Sequence, residues 1–302
     1  MSRRVAVVRM VLLAIAGLLA LPGAAAAQGA GECPPVSQTG TAGDDVLLGT
    51  AGADNVLGLA GDDTIGLLLA DDCADGGAGG DTNNGGAGDD TLLGRAGADT
   101  INGAAGNDEI DGGADPDELS GGAGTDAIVG GGGFNTIQGG LGPDRIEGGD
   151  TIDDLSGGRG PDRIRAGAGF DFVSGGLGAD RLFGQASLDD IHGGRGDDRI
   201  FGGTGDDYVE GGLGNDRIFG GPGDDRLQGG LGNDRIFGGG GADVIADPLG
   251  NSRIRGGSHN DRIIAVNGRR DRVDCGPGRD RIRADDADRL RRCEIVWRVG
   301  VR

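Results

Sequence analysis

Apolar and polar positions recur along this chain on a nine-residue period, from Gly40 to Ile264, without an insertion or deletion through 25 units. With each unit numbered 1 to 9 from Gly40, position 8 is Leu, Ile or Val in 23 units, the exceptions being Ala74 and Asn83. Position 6 is Asp in 23 units, the exceptions being Asn135 and Ser252. The best copies read Gly-Gly-x-Gly-x-Asp-x-Ile-x, as from Gly211 to Phe219. One apolar and one acidic site held through so many copies mark a repeat architecture. Each unit buries its single apolar side chain by stacking on its neighbours.

The pattern predicts a short strand at positions 7–9 and a turn at positions 1–6. Side chains alternate along a strand, so position 8 faces inward and positions 7 and 9 face outward. Gly at positions 1, 2 and 4 opens backbone angles closed to other residues. Successive strands lie on opposite sides, so two units make one coil, and residues 18 apart stack at roughly 4.8 Å. The predicted fold is all-β, a parallel β-roll (β-solenoid) of about 12 coils and about 60 Å.

Composition sharpens this picture. Gly contributes 71 of 302 residues and aromatics only nine, so the inward ladder of small aliphatics buries little surface against the entropy of ordering so much Gly. Another source of folding free energy is needed, and the Asp columns point to it. Carboxylates stacked roughly 5 Å apart repel unless a cation lies between them. Calcium takes six to eight oxygen ligands, carboxylate and carbonyl alike. The net charge of −21 argues against nucleic acid as a partner. Every basic residue is Arg, which excludes a Lys-dependent phosphate loop or Schiff base.

These repeats resemble the RTX, or haemolysin-type, calcium-binding proteins, from residue 40 to about 290. The resemblance implies a parallel β-roll with Ca²⁺ between the Gly-rich turns of adjacent coils, held by position-6 Asp and turn carbonyls. Carried onto the copies that match, the ligands on one edge are Asp126, Asp144, Asp162, Asp180, Asp198, Asp216 and Asp234. The other edge is intact at Asp207, Asp225 and Asp243. Turn carbonyls come from Gly194, Gly196, Gly212, Gly214, Gly230 and Gly232. That second edge is broken at Asn135, at Thr151, and at Gln185 and Ser187. Thr41, Thr50 and Leu59 replace the second Gly in the first units, so those turns are expected to bind weakly.

Residues 1–27 read as a secretory signal peptide. Arg3, Arg4 and Arg9 precede an apolar run to Leu21, and Ala24–Ala27 offers a cleavage site. Residues 28–39 form an N-terminal linker or cap, 40–264 the roll, and 265–302 degenerate repeats and a C-terminal cap holding Trp297, the single Trp. These end segments leave no room for a catalytic domain. The histidines, His192 and His259, form no His-Glu-x-x-His motif, and no Gly-x-Ser-x-Gly elbow occurs. The expectation is an extracellular calcium-binding protein without enzymatic activity, with a structural or interaction role. The alternatives are a polysaccharide-binding or adhesion module, or a polysaccharide-modifying enzyme on a β-helix scaffold. No later segment spans a membrane.

Export favours disulfides. Cys275 and Cys293 lie 18 residues apart, one coil, which places their Cα atoms within disulfide reach. By elimination Cys33 pairs with Cys73. Two outward ladders also repeat every 18 residues. Arg145, Arg163, Arg181, Arg199, Arg217, Arg235 and Arg253 hold position 7, and Phe183, Phe201, Phe219 and Phe237 hold position 9. They reflect either duplication of a favourable unit, with Arg balancing nearby Asp, or an exposed stripe for a cell-wall or extracellular polysaccharide.

Overall fold

The computed structural model describes residues 33–299; the signal peptide reading falls on residues outside this range. The chain winds as a solenoid of two parallel sheets of fifteen strands each. Successive strands alternate between the sheets, so every hydrogen-bonded neighbour is two strands away in sequence. The register is 18 through the repeat region: Arg199 pairs with Arg217, Ile200 with Ile218 and Phe201 with Phe219. Two units per coil is therefore the observed winding.

The strands are longer than the period alone suggests. Most span six residues, as in Arg199–Thr204 and Arg217–Pro222, which is positions 7–9 continued through positions 1–3 of the next unit. The turn shrinks to positions 4–6. Gly at position 1 faces inward, as does position 8, giving the exposed–buried–partial–buried alternation seen along Arg199–Gly202. With no side chain at position 1 the two sheets close on a single row of aliphatics each. Ile146, Ile164, Leu182, Ile200, Ile218 and Ile236 are fully buried in that row. Asn83 occupies the corresponding row of the other sheet, between Ile65 and Ile101, buried, with its Nδ2 donating to the Leu93 carbonyl at 3.1 Å and its Oδ1 unpaired.

Coils continue past Ile264, which is why the roll is longer than about 12 coils. The extra residue near Asn267 is absorbed as a register of 19, with Arg253 opposite Arg272 and Arg262 opposite Arg281. A register of 17 follows, with Arg272 opposite Arg289. The last strand, Ile295–Val299, pairs with Arg281–Asp285. Trp297, in this terminal strand, stands opposite Arg283 on the outer face and is 52% exposed. An odd step along a strand turns a side chain outward whatever its apolarity.

Both disulfides are present. Cys275 and Cys293 have Cα atoms 5.2 Å apart, and Cys33 and Cys73 5.8 Å. Among the described residues no helix is long and apolar enough to cross a membrane.

Candidate metal centres

Position 6 ends each turn, just before the chain re-enters a sheet, and the side chain folds back beneath the turn. The result is two columns of buried carboxylates along the two edges of the roll. Asp126, Asp144, Asp162, Asp180, Asp198, Asp216 and Asp234 belong to one column, and Asp207, Asp225 and Asp243 to the other. Each column is a ladder. The backbone N–H of Asp198 donates to Oδ1 of Asp216 at 2.9 Å, and that of Asp216 to Oδ1 of Asp234 at 2.9 Å. The same bond, one coil to the next, joins Asp189 to Asp207 and Asp207 to Asp225, both at 2.9 Å.

One oxygen of each carboxylate is thus satisfied and the other is not. Oδ2 of Asp198, Asp207, Asp216, Asp225 and Asp234 is buried without a hydrogen-bond partner, as it is at nearly every position-6 Asp from Asp63 to Asp280. An unpaired buried carboxylate oxygen is costly. Burial therefore pushes the Asp216 carboxyl up to about 7, against the lowering effect of its bond from Asp198 and with help from the charges of Asp198 and Asp234. Asp162, Asp207 and Asp243 also stand at about 7, and Asp144, Asp180, Asp198, Asp225 and Asp234 at about 6, with burial the main cause in each. Asp126 is raised for the same reason.

The Oδ2 atoms converge with backbone oxygens. A Cβ placed on Gly211 would lie 2.5 Å from Oδ2 of Asp216 and 2.5 Å from the carbonyl oxygen of Gly229 one coil on. Turn carbonyls run along the roll axis. The Gly194 oxygen lies 2.2 Å from where a Gly212 Cβ would be, and the Gly196 oxygen 1.7 Å from that of Gly214. The Gly212 and Gly214 oxygens stand likewise at 2.1 and 1.5 Å from the Gly230 and Gly232 positions. A Cβ at Gly214 would collide with that oxygen, and Gly214 also has φ +145°, a region that costs other residues strain.

This donor set is oxygen only, and it fits a hard divalent cation. Among the described residues no three His, Cys, Asp or Glu side chains converge on one point. Carboxylates alone therefore do not complete a coordination shell, and the remaining oxygens would come from the turn carbonyls.

Some turns that depart from the glycine pattern keep this geometry. Gln185 and Ser187 adopt φ +84° and +83°. Their carbonyl oxygens still lie 2.2 and 2.0 Å from the Cβ positions of Gly203 and Gly205. Leu59, Ala70, Arg95, Ala104, Asp115 and His259, all at positions 2 or 4, likewise have φ between +76° and +88°. The copy with Gln185 and Ser187 thus differs from the intact ones in backbone strain, not in where carboxylate and carbonyl point, whereas the Thr151 turn lacks the left-handed residues and Asn135 presents an amide nitrogen in place of the carboxylate oxygen. Asp153 and Asp189, beside broken turns, are as buried as Asp198 and have the same unpaired Oδ2.

Several residues were not anticipated. Thr41 and Thr50, read as lost glycines, close the N-terminal ends of the columns. Each donates its hydroxyl to Oδ2 of the Asp in its own turn, Thr41 to Asp45 at 2.9 Å and Thr50 to Asp54 at 2.8 Å. The Thr50 backbone and hydroxyl bonds hold Asp54 below the ordinary carboxylate value. At the other end Asp271 and Asp280, which echo the repeat in the degenerate units, extend the ladders, and Asp288 and Glu294 extend them further, unforeseen. Asp288 accepts from Asp271 on Oδ1 and from Asp285 on Oδ2. The Thr at position 2, found only in the first units, was the available signal.

A family model described as the RTX calcium-binding nonapeptide repeat (4 copies) matches residues 39–72, 75–110, 103–137, 129–164, 156–187, 183–218, 219–246 and 249–270. No curated protein matches the chain. Among solved structures it is similar to a hyperactive, Ca²⁺-dependent, β-helical antifreeze protein from an Antarctic bacterium. Sequence identity is 20% and the TM-score 0.30, over 88% of this chain and 81% of the other.

Proposed function

Because the chain belongs to the RTX calcium-binding nonapeptide-repeat family, we propose that calcium folds it, at the cell exterior, into a rigid structural or interaction module. The observation that carries the reading is the pair of carboxylate columns, each with a buried, unpaired Oδ2 on nearly every rung. The proposed ligands are Asp126, Asp144, Asp162, Asp180, Asp198, Asp216 and Asp234 on one edge and Asp207, Asp225 and Asp243 on the other. The turn carbonyls of Gly194, Gly196, Gly212, Gly214, Gly230 and Gly232 complete them. Bound calcium supplies the positive charge that lets adjacent carboxylates stay ionised and buried together. The protein's own part is to aim Oδ1 at the preceding backbone N–H, which leaves Oδ2 free beside the position-1 carbonyl of the next coil, that of Gly229 at Asp216.

The equal placement of carboxylates beside intact and broken turns favours ligation along both edges. The two disulfides support an oxidising, extracellular setting. No catalytic domain is evident, and we assign the roll no enzymatic role. Affinity should fall at about 10⁻⁴ to 10⁻³ M, the range of extracellular calcium modules. Circular dichroism of the mature chain in EDTA and in calcium tests the reading: binding coupled to folding shows as a gain of β-structure on adding calcium. Equal β-content in both solutions would sink it.

A further inference from the structure

Basic charge is gathered on one face of this acidic protein. On the outer face of the sheet that begins at Gln38–Thr39, position 7 is Arg on nine consecutive strands, from Arg145 to Arg289. Like charges directly opposite one another across strands destabilise a sheet. Arg145 is paired, with Glu147. The other eight make no ion pair among the described residues; the remaining pairs in this sheet use Arg95, Arg165 and Arg292. Balancing of nearby Asp does not by itself explain the column: the position-6 carboxylates are buried in the turns, and Arg217 acts on the exposed Asp197 without forming an ion pair with it. Arg163 shows the crowding: burial, then Arg165, Arg145 and Arg181, hold its guanidinium below the ordinary value, and its Nε is buried without a partner.

Beside the arginines runs the position-9 ladder. The rings of Phe183, Phe201, Phe219 and Phe237 are stacked at 4.8–5.0 Å with interplanar angles of 3–4°. The guanidinium of Arg163 covers one end of the stack and that of Arg255 the other, each 5.3 Å from the ring centroid. Every ring face is therefore occupied from within. These rings offer no platform to a sugar or a base; they serve to stiffen the strip beside which the arginines stand. What the face presents outward is a row of arginines in register, one per coil from Arg163 to Arg253. From Arg163 to Arg255, positions 7 and 9 of this sheet carry no acidic residue.

We propose that this arginine column is a docking surface for a linear anionic polysaccharide, whose acid groups repeat along the chain as the guanidinium groups repeat along the roll. The inference names a partner for the interaction role proposed above and rests on that role only for where the partner is met. Guanidinium forks match carboxylate and sulfate-type oxyanions, and charge complementarity selects a polyanion over a neutral glycan. A nucleic acid strand would meet the same charges, but without ring faces for its bases.

The test uses the disulfide-bonded full chain in calcium and four probes at matched ionic strength: hyaluronan for carboxylate, dextran sulfate for sulfate ester, neutral dextran and single-stranded DNA. Binding to one or both acidic polysaccharides, weakening as salt rises, and none to dextran, is the expected result; the two acidic arms say which oxyanion is preferred. Replacing Arg181, Arg199, Arg217 and Arg235 together by Gln should weaken that binding by about tenfold or more, taking each exposed charge contact at its usual modest value. Arg226→Gln with Arg262→Gln, on the other sheet, should leave it unchanged. Calcium-dependent β-structure is recorded for every variant, so loss of folding is separated from loss of docking. If the fourfold variant does not fold, Arg199→Gln with Arg235→Gln makes the same comparison. Failure of the parent to bind either polyanion, undiminished binding by the folded variant, or tighter binding to DNA would each overturn the proposal.

Discussion

Replacing Asp198, Asp216 and Asp234 by Asn should have opposite effects without and with calcium. In the folded chain burial pushes Asp216 up to about 7 and Asp198 and Asp234 to about 6, against about 3.9 in an unfolded chain. A carboxyl whose folded value is raised stabilises the fold through its bound proton. That contribution is whole below about pH 4 and is lost as the pH rises to about 7. At 1.36 kcal/mol per unit, a shift of about two to three units is worth about 3–4 kcal/mol per carboxyl as a ceiling. Neighbours in one column share the burden, so about 4 kcal/mol for the three together is the working figure. Asn is neutral at every pH and fits the site, as Asn135 shows. Its Oδ1 accepts from Asp117 at 3.1 Å and its Nδ2 donates to the Gly133 carbonyl at 3.1 Å. In EDTA the triple variant should therefore hold its β-structure to a higher pH than the parent, with no advantage near about pH 4. In calcium the ranking should reverse, because the variant lacks ligands. Far-ultraviolet circular dichroism against pH in EDTA, beside a calcium titration at about pH 8, reads both signs. A variant that melts at the same or lower pH than the parent in EDTA would refute the claim that unpaired buried charge limits the metal-free roll.

Other expectations follow from single sites. Gly214→Ala should cost about 3 kcal/mol or more, since its Cβ would meet the Gly196 oxygen at 1.7 Å from a φ of +145°. Gly43→Ala, at the same repeat position with nothing within 4 Å, should stay within about 0.5 kcal/mol; thermal melts in calcium compare the two, and equal losses would rule out the collision. Asn83→Leu should raise stability in calcium by about 1 kcal/mol, because it removes a buried oxygen without a partner; a lower urea midpoint would count against this. Cys275→Ser with Cys293→Ser should cost about 3 kcal/mol by freeing a loop of this length, and an unchanged melting temperature would show the bridge to be dispensable.

The coil and its core were legible because they depend on one apolar side chain per unit. Ile146, Ile164 and Ile200 stack as position 8 requires. The length of the strands was not. Gly is a poor strand former, and nothing in its letter says that position 1 points inward. Strand parity carries position 1 inward, two residues after position 8, and the carboxylate requires Gly there, because its Oδ2 fills the space a Cβ would need at Gly211. The position-6 carboxylates were legible as a class, but that one broken turn keeps the carbonyl directions of the intact ones was not. Gln185 and Ser187 reach the same carbonyl directions at left-handed φ, an option that a glycine pattern conceals. The Thr41 and Thr50 caps looked like decay of the motif because their role depends on a hydroxyl meeting an oxygen four residues on. Trp297 lies in the terminal strand, where strand parity and not apolarity sets the face it takes.

The carboxylate ladders also give the roll a direction of growth. In each rung the donor is the backbone N–H of the earlier coil and the acceptor is the side chain of the later one, from Asp54 to Asp72 near one end to Asp243 and Asp261 near the other. A coil already laid down thus presents the hook that orients the next Asp, whereas a coil formed in isolation has nothing to orient its own. With Thr41 and Thr50 closing the first rungs without outside help, the starting end is complete in itself. A chain that emerges N-terminus first can therefore be wound up as it appears, each turn templated by the last, with no need to wait for its far end.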